Sequence, residues 1–484
     1  MEDGTWRTGG GATRLGSSFG AAVTGMAALD FWPDTATQRA LAYGDNGSLY
    51  KDDGAGGGWV TLASGLTTSG AVPMIYEAGA EAAGRNRKAI FPDRVNSPRV
   101  LSGDGATAAA IASPAADWAG TNQPGFGVQH QSFNWMGGNA NAPHTIYRST
   151  AADHEDFLTS PYTLRIFPGE GERLTAGLSY KGVLLLWKYG RSGGVYAVDT
   201  SDANSANWRV IKVGTAGAAG PGCVVAMEDD VAWVAPDGTW HLVSATTATG
   251  SVRAEDIAAR KLGAFHRENI NLARLNFAQM IYYAHKQEVQ LACSAIGATA
   301  KNRRLHLDLN RRTEVGERWI WWDRDRNEAL FLRKRDEINI PAMVDNVGQV
   351  WELDRTGRDA AGVGYTFEVF MADTDFGQIV PGWQGRYKNL RFVQLEYDGR
   401  TASTVTVEVY GDGALLQTLT LTLSASGPTL PVVLPFTLGI EGLTLTRRRR
   451  LVSRARRIAV RVSDGTVSED VSLSRILLGL EIGE

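Results

Sequence analysis

The triplet Asp375-Phe376-Gly377 has a known chemical use elsewhere, because the same three residue types hold magnesium in protein kinases. In a kinase the triplet works together with a glycine-rich loop, a strand lysine and an H-R-D loop. This sequence does not contain those three elements in the required order. The triplet comes directly after the strand-like run "YTFEVFMADT", so we interpret it as turn chemistry at a strand end, with Phe376 packed inward.

The histidines and cysteines do not have the spacing of a metal site. No pair of histidines shows the H-E-x-x-H pattern that binds zinc from one helix face. Residues 154–156 (His-Glu-Asp) have the types of a metal or acid–base cluster, but a solvated loop before Phe157 is the simpler interpretation. Cys223 and Cys293 lie far apart in apolar runs, which predicts two buried free thiols rather than a disulfide.

Two hairpin-like stretches, "SDANSANW" and "APDGTW", are faint versions of the Asp box of sialidase propellers, and neither keeps the full spacing. A sialidase also needs an arginine cluster and a tyrosine nucleophile. The sequence has no G-x-S-x-G elbow and no Walker phosphate loop with its lysine. We therefore expect a protein that is not an enzyme, with no catalytic residue, no bound cofactor and no metal site.

The strongest charge run is "RRRRLVSRARR", residues 447–457. Such a run predicts a contact with DNA phosphates or with an acidic surface of a partner protein. The alternative is a solvated turn that also resists edge-to-edge aggregation. The candidate contact residues are Arg447, Arg448, Arg449, Arg450 and Arg454.

The composition limits the class of protein. A length of 484 residues predicts two or three domains, and 14 tryptophans in a 43% hydrophobic chain argue against disorder. The net charge of -3 lacks the basic footprint of a free-standing nucleic-acid-binding protein. The N-terminus lacks the apolar core of a signal peptide, and no apolar run approaches the ~18 residues that cross a membrane. We expect synthesis in a cytoplasm without membrane insertion.

Strand signals recur along the first three quarters of the chain. Turns at Asn46-Gly47, Gly193-Gly194 and Asp237-Gly238 separate runs of alternating apolar residues. These units return about every 40–60 residues, which suits four-stranded propeller blades, although no WD or kelch signature is present. We predict an all-β fold whose residues 1–358 form an irregular β-propeller. We expect one short helix over residues 253–269 and a long loop ending in a strand over residues 113–145.

The pattern changes after residue 358. Runs such as "NLRFVQLEYDG", "STVTVEVYGDG" and "ARRIAVRVSDG" alternate strictly between apolar and polar residues. Glycine-containing turns separate them, as in antiparallel sheets with one polar and one apolar face. We predict a C-terminal antiparallel β-sandwich over residues 359–484.

Several segments resemble one known family in their order along the chain. They are "DGTWRTGGGATRLG", "RALAYGDNGSLYKDD", "IYRSTAADHEDFLTS", "DDVAWVAPDGTWHLVS", "VGQVWELDRTGRDAAG", "ADTDFG" and the ending "KNLRFVQLEYDG … RRIAVRVSDG … LLGLEIGE". This order is similar to the tail nozzle proteins of tailed bacteriophages, also called tail tubular B or DNA-stabilisation proteins. The resemblance spans most of the chain and is one of pattern.

The resemblance implies a structural virion protein, assembled in the host cytoplasm and located in the phage tail. It implies a homohexameric ring at the distal end of the tail, in which each subunit carries a propeller and a β-sandwich platform. The ring would surround a channel for DNA retention and ejection and touch viral DNA transiently and non-specifically. It would join an adaptor or other tail ring proteins to tail fibres or a needle. The tryptophans and the glycine- and asparagine-rich loop suit its broad subunit interfaces.

Two other classes of protein remain open. A carbohydrate-binding or carbohydrate-degrading β-propeller of a phage tail tip would need a pocket where acidic and aromatic residues converge. A soluble propeller that binds partner proteins would differ from the nozzle by not assembling into a ring.

Overall fold

The computed structural model describes most of the 484-residue chain. It divides into two compact units, Leu15–Glu352 and the pair of segments Met1–Arg14 and Leu353–Glu484. No helix in the described parts is both long and apolar enough to span a membrane. The described residues are 6–7, 11–30, 38–54, 57–79, 87–159, 162–170, 172–190, 193–202, 204–246, 251–256, 269–312, 318–324, 329–335, 338–355, 359–360, 363–364, 367–374, 382–399, 403–423, 445–464 and 471–482.

The described residues of unit Leu15–Glu352 form seven antiparallel sheets that follow one another along the chain. Six sheets have four strands in sequence order, and the seventh contributes three strands here, the last of which crosses the unit boundary. The sheets are β3 Val23–Asp30, β4 Gln38–Gly44, β5 Leu49–Asp52, β6 Trp59–Ala63; β7 Tyr76–Ala78, β8 Lys88–Phe91, β9 Arg99–Ser102, β10 Ala109–Ala110; β11 Phe126–His130, β12 Phe133–Gly137, β13 Thr145–Arg148, β14 Tyr162–Arg165; β15 Leu174–Tyr180, β16 Val183–Lys188, β17 Gly194–Asp199, β18 Arg209–Gly214; β19 Val224–Ala226, β20 Val231–Val234, β21 Trp240–Thr246, β22 Ser251–Asp256; β23 Gln279–Tyr283, β24 Glu288–Cys293, β25 Arg303–Arg312, β26 Arg318–Arg324; and β27 Ala329–Arg335, β28 Ile338–Val344, β29 Val350–Arg355. Short 3-10 helices lie at Ser205–Asn207, Pro221–Cys223, Leu272–Phe277 and Ala284–Lys286.

The sheets close into a ring through their first strands. Each of β3, β7, β11, β15, β19, β23 and β27 contacts the first strand of the next sheet, and β27 contacts β3. Buried apolar side chains fill the space between neighbours, as Tyr43 and Phe91 do between the first two sheets. Ala42 and Phe331 belong to the core that joins the first sheet to the seventh. The described residues of this unit therefore form a seven-bladed β-propeller, which confirms the predicted fold.

Large aromatic side chains occupy the propeller interior. Trp135, Trp187, Trp233 and Trp240 are fully buried between blades. Aromatic residues bury the largest apolar area per side chain, so these four contribute strongly to the stability of the ring. The interpretation of the tryptophans as subunit-interface residues is wrong for these four.

Three blades share one turn geometry between their second and third strands. In each turn the first N–H donates to the carbonyl of the fifth residue, and the fourth residue, a glycine, donates to the carbonyl of the first. The glycine φ values are +73°, +83° and +76°, a region that favours glycine. The predicted turns at Asn46-Gly47 and Asp237-Gly238 are confirmed. The three turns are residues 44–48, 235–239 and 345–349.

Two local predictions are wrong in part. The expected helix over residues 253–269 is wrong at its start, because residues 253–256 belong to β22, which pairs with β21 from Thr246↔Ser251 to His241↔Asp256. Asn269, the last residue of the expected helix, is helical, and residues 257–268 lie outside the described residues. At residues 253–256, completing a four-stranded blade outweighs helix propensity. The expected loop over residues 113–145 contains the hairpin β11–β12. Residues 375–377 also lie outside the described residues.

The second unit contains two four-stranded antiparallel sheets with the orders β1-β38-β33-β36 and β32-β37-β34-β35. Alternate residues of these strands share one buried core, for example Val405, Val407 and Val409 of β34 against Leu390 and Val393 of β33. The predicted β-sandwich is confirmed. Its strands are β1 Trp6–Arg7, β32 Phe367–Thr374, β33 Lys388–Gly399, β34 Ser403–Gly411, β35 Ala414–Leu423, β36 Leu445–Ala455, β37 Ile458–Asp464 and β38 Val471–Ile482; the unit also holds β30 Asp359–Ala360, β31 Val363–Gly364 and most of β2 Gly11–Leu15.

The division of the chain differs from the predicted boundary between residues 358 and 359. The boundary falls six residues earlier, inside β29. The N-terminal segment groups with the sandwich because β1 pairs with β38, Trp6 opposite Leu473 and Arg7 opposite Ser472. Local strand patterns do not encode this pairing, since the two strands lie at opposite ends of the sequence.

Candidate docking surface

The two sheets of the sandwich are joined at one end by a two-residue corner, Arg456-Arg457, between β36 and β37. The corner places Ala455 of one sheet near Gly411 of the other, where a Cβ added to Gly411 would lie 2.5 Å from the Ala455 Cβ. The register puts Lys388, the first residue of β33, at the same end of the sandwich. We call this end of the sandwich the corner end.

A tyrosine lies between two arginines at the corner end. The Cζ atoms of Arg454 and Arg456 each lie 4.7 Å from the centre of the Tyr387 ring. All three side chains are exposed, and Arg386 and Arg457 beside them are exposed too. Cation–π contacts of this kind hold the ring and both guanidinium groups in place without removing them from solvent.

The large apolar side chains that are exposed on the described part of the sandwich all lie at the corner end. Leu415 and Leu416 follow the β34–β35 turn, and Ile482 ends β38 opposite Lys388. Their exposed fractions are 52%, 37% and 40%, and that of Tyr387 is 39%. A patch of arginines, tyrosine and aliphatic residues is typical of protein–protein interfaces.

Two polar groups fix the backbone of the corner end. Lys388 is fully buried, and its Nζ donates to the carbonyls of Arg386 at 2.9 Å and Arg456 at 2.6 Å. The carboxylate of Asp412 accepts from the N–H groups of Arg457 at 2.8 Å and Arg456 at 3.1 Å. These backbone hydrogen bonds, first that of Arg457, lower the pKa of Asp412. The exposed side chains therefore stand on a rigid support.

The structure places the predicted arginine contacts along β36, the edge strand of its sheet. Most of the run is therefore a strand and not a turn, and a role in resisting edge-to-edge aggregation stays a prediction. Arg450 and Arg454 are exposed, and Arg454 lies at the corner end. Their contact with DNA or a partner stays a prediction. Arg447, Arg448, Arg449 and Arg450 pair in register with Leu395, Gln394, Val393 and Phe392, and Arg454 pairs with Asn389.

The His-Glu-Asp segment of the propeller holds its loop in place and is not simply solvated. His154 is buried, and its carbonyl accepts from Asn134 Nδ2 at 2.9 Å. Glu155 Oε1 accepts from Lys88 Nζ at 2.7 Å. Asp156 accepts from the backbone of Thr159, which lowers the pKa of that carboxyl group. In the parts of the chain that the structure describes, no three metal-binding side chains come together.

The stretches that resemble Asp boxes also support turns. Asp202 accepts from Asn204 N–H, and its own carbonyl accepts from Trp208 Nε1 at 2.7 Å. Asp237 Oδ1 accepts from the Thr239 hydroxyl at 2.6 Å. The prediction of buried free cysteines is confirmed, since Cys223 and Cys293 are buried, unpaired thiols whose pKa burial raises to about 12.

Two enclosed cationic side chains of the propeller were missed by sequence reasoning. The Cζ of Arg148 lies 4.3 to 5.9 Å from the ring centres of Phe133, Tyr162, Trp208 and Trp135. Burial lowers the pKa of Arg148. Alternating aromatic and arginine residues on paired strands were the available signal, since Trp135 and Tyr162 are the register partners of Arg148.

The second enclosed cation, Lys188, is fully buried. Its Nζ donates to the carbonyls of Phe167 at 2.7 Å and Glu170 at 2.6 Å. Burial lowers its pKa to about 8. Lys188 therefore braces one propeller loop as Lys388 braces the corner end.

These features define the chain as a seven-bladed β-propeller with an added β-sandwich that presents a basic and apolar end. No protein-family model matches the chain. No curated protein matches it either.

The solved structures to which the chain is similar include the computationally designed Ika8 protein, with a TM-score of 0.39, covering 70% of this chain and 98% of that chain. U3-55K has a TM-score of 0.42 and coverages of 70% and 97%. The WD40 repeats of RRP9 have a TM-score of 0.43 and coverages of 72% and 99%. Sequence identity is 10% in each case, so the fold assignment rests on the ring of blades described above.

Proposed function

We propose that this chain is a non-catalytic structural protein of a phage virion, the nozzle or hub ring at the distal end of the tail. The ring is a homohexamer that surrounds a channel for DNA retention and ejection. It joins an adaptor or other tail ring proteins to fibres or a needle. Its contact with viral DNA is transient and non-specific.

The observation that carries this proposal is the corner end of the sandwich. Exposed Tyr387, Leu415 and Leu416 beside exposed arginines form a surface that suits burial against another protein. The order of a propeller followed by a sandwich is also the one that the tail nozzle resemblance implies. The net charge of -3 fits a channel protein, since a strongly basic lumen would bind phosphate tightly.

Light scattering on the purified chain, followed by electron microscopy of labelled virions, tests the proposal. A ring has a mass of about six times 52.1 kDa. Gold-labelled antibody raised against the chain should bind tailed particles at the distal end of the tail. A chain that stays a monomer and never labels a particle would contradict the proposal.

A further inference from the structure

Two arginines of the propeller lie on the same face of the ring, beside the first strands of the third and fourth blades. Neighbouring strands of a blade are antiparallel. The segment before each first strand and the loop between the second and third strands therefore lie on one face, which we call the entry face. Arg94 lies between β8 and β9, and Arg173 directly precedes β15, so both belong to the entry face.

Arg94 has a backbone conformation that arginine rarely adopts. Its φ is +75°, in the left-handed region that favours glycine. Its N–H donates to the Pro124 carbonyl at 3.0 Å. Its side chain crosses Gly125, where an added Cβ would lie 3.3 Å from the Arg94 Cβ, and the residue after Gly125 begins β11. Strained backbone of this kind is concentrated at functional sites, which makes Arg94 a candidate for one.

Arg173 is held in place beside the same two blades. Its Cζ lies 5.2 Å from the centre of the Tyr189 ring, and its carbonyl accepts from the Tyr189 N–H at 2.8 Å. The next residue, Leu174, donates its N–H to the Pro143 carbonyl at 2.7 Å. The Leu174 carbonyl oxygen would lie 3.0 Å from a Cβ added to Gly138.

A short series of backbone contacts joins the two arginines. Gly125, which Arg94 crosses, donates its N–H to the Gly137 carbonyl at 2.8 Å. The residue after Gly137 packs against the residue after Arg173, and β11 contacts β15. Burial lowers the pKa of Arg94, and the charge of Arg173 lowers it further. Two guanidinium groups that stay charged at neutral pH therefore lie close together.

The carboxylates beside these arginines in the sequence are engaged elsewhere. Asp93 is buried and accepts from the Tyr43 hydroxyl at 2.7 Å and from the Asn96 N–H at 2.7 Å. Glu172 lies over a neighbouring turn, where a Cβ added to Gly190 would be 3.6 Å from its Oε1. Within the described parts of the chain, no carboxylate forms an ion pair with either arginine.

We propose that Arg94 and Arg173 form an anion-binding site of the propeller, whose ligand is a phosphate group, either free or carried by a small molecule such as a nucleotide. This inference goes beyond the proposed nozzle function and does not depend on it. A guanidinium group presents its N–H donors in a planar fork that matches the oxygens of phosphate. A bound phosphate accepts from both arginines and offsets the repulsion between them.

The charge of the site favours phosphate over a single carboxylate. A phosphate monoester carries about −1.5 to −2 charges at neutral pH and has three acceptor oxygens. This charge matches the two positive charges of Arg94 and Arg173. A carboxylate carries one negative charge and would leave one of the two guanidinium groups uncompensated.

The burial of the site favours a small ligand over a nucleic acid. Arg94 and Arg173 are both partly buried. Proteins that hold a nucleic-acid backbone do so with several exposed lysines and arginines arranged along its path. The net charge of -3 adds no general attraction for a polyanion.

Isothermal titration calorimetry of the full chain measures the site directly. The titrants are inorganic phosphate and ADP, with acetate as the reference anion at equal ionic strength. The wild type should bind phosphate or ADP at least about tenfold more tightly than acetate, because only phosphate compensates both charges. Tighter binding of ADP than of inorganic phosphate would assign the site to a nucleotide, and equal affinities would assign it to free phosphate.

Two variants remove one guanidinium group each. Arg94→Gly keeps the turn, because glycine adopts a φ of +75° without strain, and Arg173→Gln is the second variant. Each should weaken phosphate binding at least about tenfold, the effect expected when one charge-assisted contact is lost. Arg209→Gln is the matched control and should bind as the wild type does. Arg209 is exposed at the start of the outer strand β18, on the opposite face.

Thermal unfolding with and without phosphate checks the same variants independently. Phosphate should raise the melting temperature of the wild type and of Arg209→Gln, and it should leave that of Arg94→Gly unchanged. If one arginine variant does not fold, the other variant and the wild-type comparison of phosphate with acetate still decide the question.

Three results would overturn the proposal. The first is a wild-type chain that binds phosphate and ADP no better than acetate. The second is a folded Arg94→Gly or Arg173→Gln variant with the affinity of the wild type. The third is binding of duplex DNA alone, lost in Arg94→Gly, which would assign the arginines to nucleic acid.

Discussion

Arginine side chains contact aromatic rings in both units, but the numbers of arginines and rings in each contact are reversed. In the propeller, one guanidinium group, that of Arg148, is surrounded by four rings and is partly buried. In the sandwich, one ring, that of Tyr387, lies between Arg454 and Arg456, and all three side chains are exposed. The same contact type therefore stabilises an interior in one unit and shapes a surface in the other.

The difference shows which free energy each contact affects. Removing Arg148 leaves a cavity among aromatic rings, so the loss falls on the free energy of unfolding. Removing Tyr387 takes away a side chain that water already reaches, so little of the loss should fall on the free energy of unfolding. If the corner end is a docking surface, as we propose, the loss should fall on binding. Substitutions that separate these two free energies test the comparison directly.

The largest expected effect is that of Arg148→Ala. It should lower the free energy of unfolding by about 2–4 kcal/mol, because both the cation–π contacts and the packing of the guanidinium group are lost. Urea denaturation followed by tryptophan fluorescence measures this change. Arg454→Ala is the exposed counterpart and should cost less than about 1 kcal/mol. Equal losses of unfolding free energy in the two variants would contradict the conclusion that only the Arg148 contacts stabilise the fold.

Two glycines with positive φ extend the comparison to the backbone. Gly47→Ala should cost about 2–3 kcal/mol, because φ is +73° and the new Cβ would lie 2.2 Å from the Leu66 carbonyl oxygen. Gly413→Ala in the sandwich turn should cost only about 1 kcal/mol, since φ is +83° but nothing lies within 4 Å. Thermal unfolding of both variants checks the ranking; a larger loss at Gly413 would contradict it.

The buried Lys188 should make propeller stability depend on pH. Below about pH 8 the folded and unfolded chains both keep this proton, whereas between about 8 and the ordinary pKa of 10.5 only the unfolded chain does. The free energy of unfolding contributed by Lys188 therefore rises with pH across this window. The free energy of unfolding of the wild type minus that of Lys188→Met, measured by urea denaturation, should be higher at pH 10 than at pH 7.5. A pH-independent difference would show that the lysine is solvated.

The smallest effect on stability is expected for Tyr387→Ala. It should change the free energy of unfolding by less than about 1 kcal/mol, since the ring is exposed. It should nevertheless weaken self-association roughly 5- to 30-fold, which is the size of effect expected if Tyr387 is one of the few residues that carry most of the binding energy. Sedimentation velocity across a concentration series measures this. An unchanged association constant would remove Tyr387 from the docking surface.

Some of the fold is readable from local sequence, and some is not. The Asn46-Gly47 and Asp237-Gly238 turns were predictable because a dipeptide encodes the positive φ that the hairpin needs. The strand β22 was missed because its partner β21, and not its own residues, decides its conformation. Local patterns rank helices and hairpins, but they do not report which strand completes a blade.

The candidate surface was only partly predictable for a similar reason. The arginine run predicted a charged surface, but the candidate docking surface at its corner end also includes Tyr387, which lies far away in the sequence. The corner between β36 and β37 and the register of β33 bring these residues together. The spacing of residues within one segment does not predict this contact between distant parts of the sequence.

The contact between β27 and β3 can form only after most of the chain has been synthesised. On the order of 300 residues separate these strands, and ribosomes add about 5–20 residues per second, so the first blade waits roughly 15–60 s for its last neighbour. During that interval the native packing partners on the seventh blade are missing for Val23, Met26 and Ala42. Nascent chains stalled before residue 329 should therefore be the preferred clients of ribosome-associated chaperones, and release should coincide with emergence of the seventh blade.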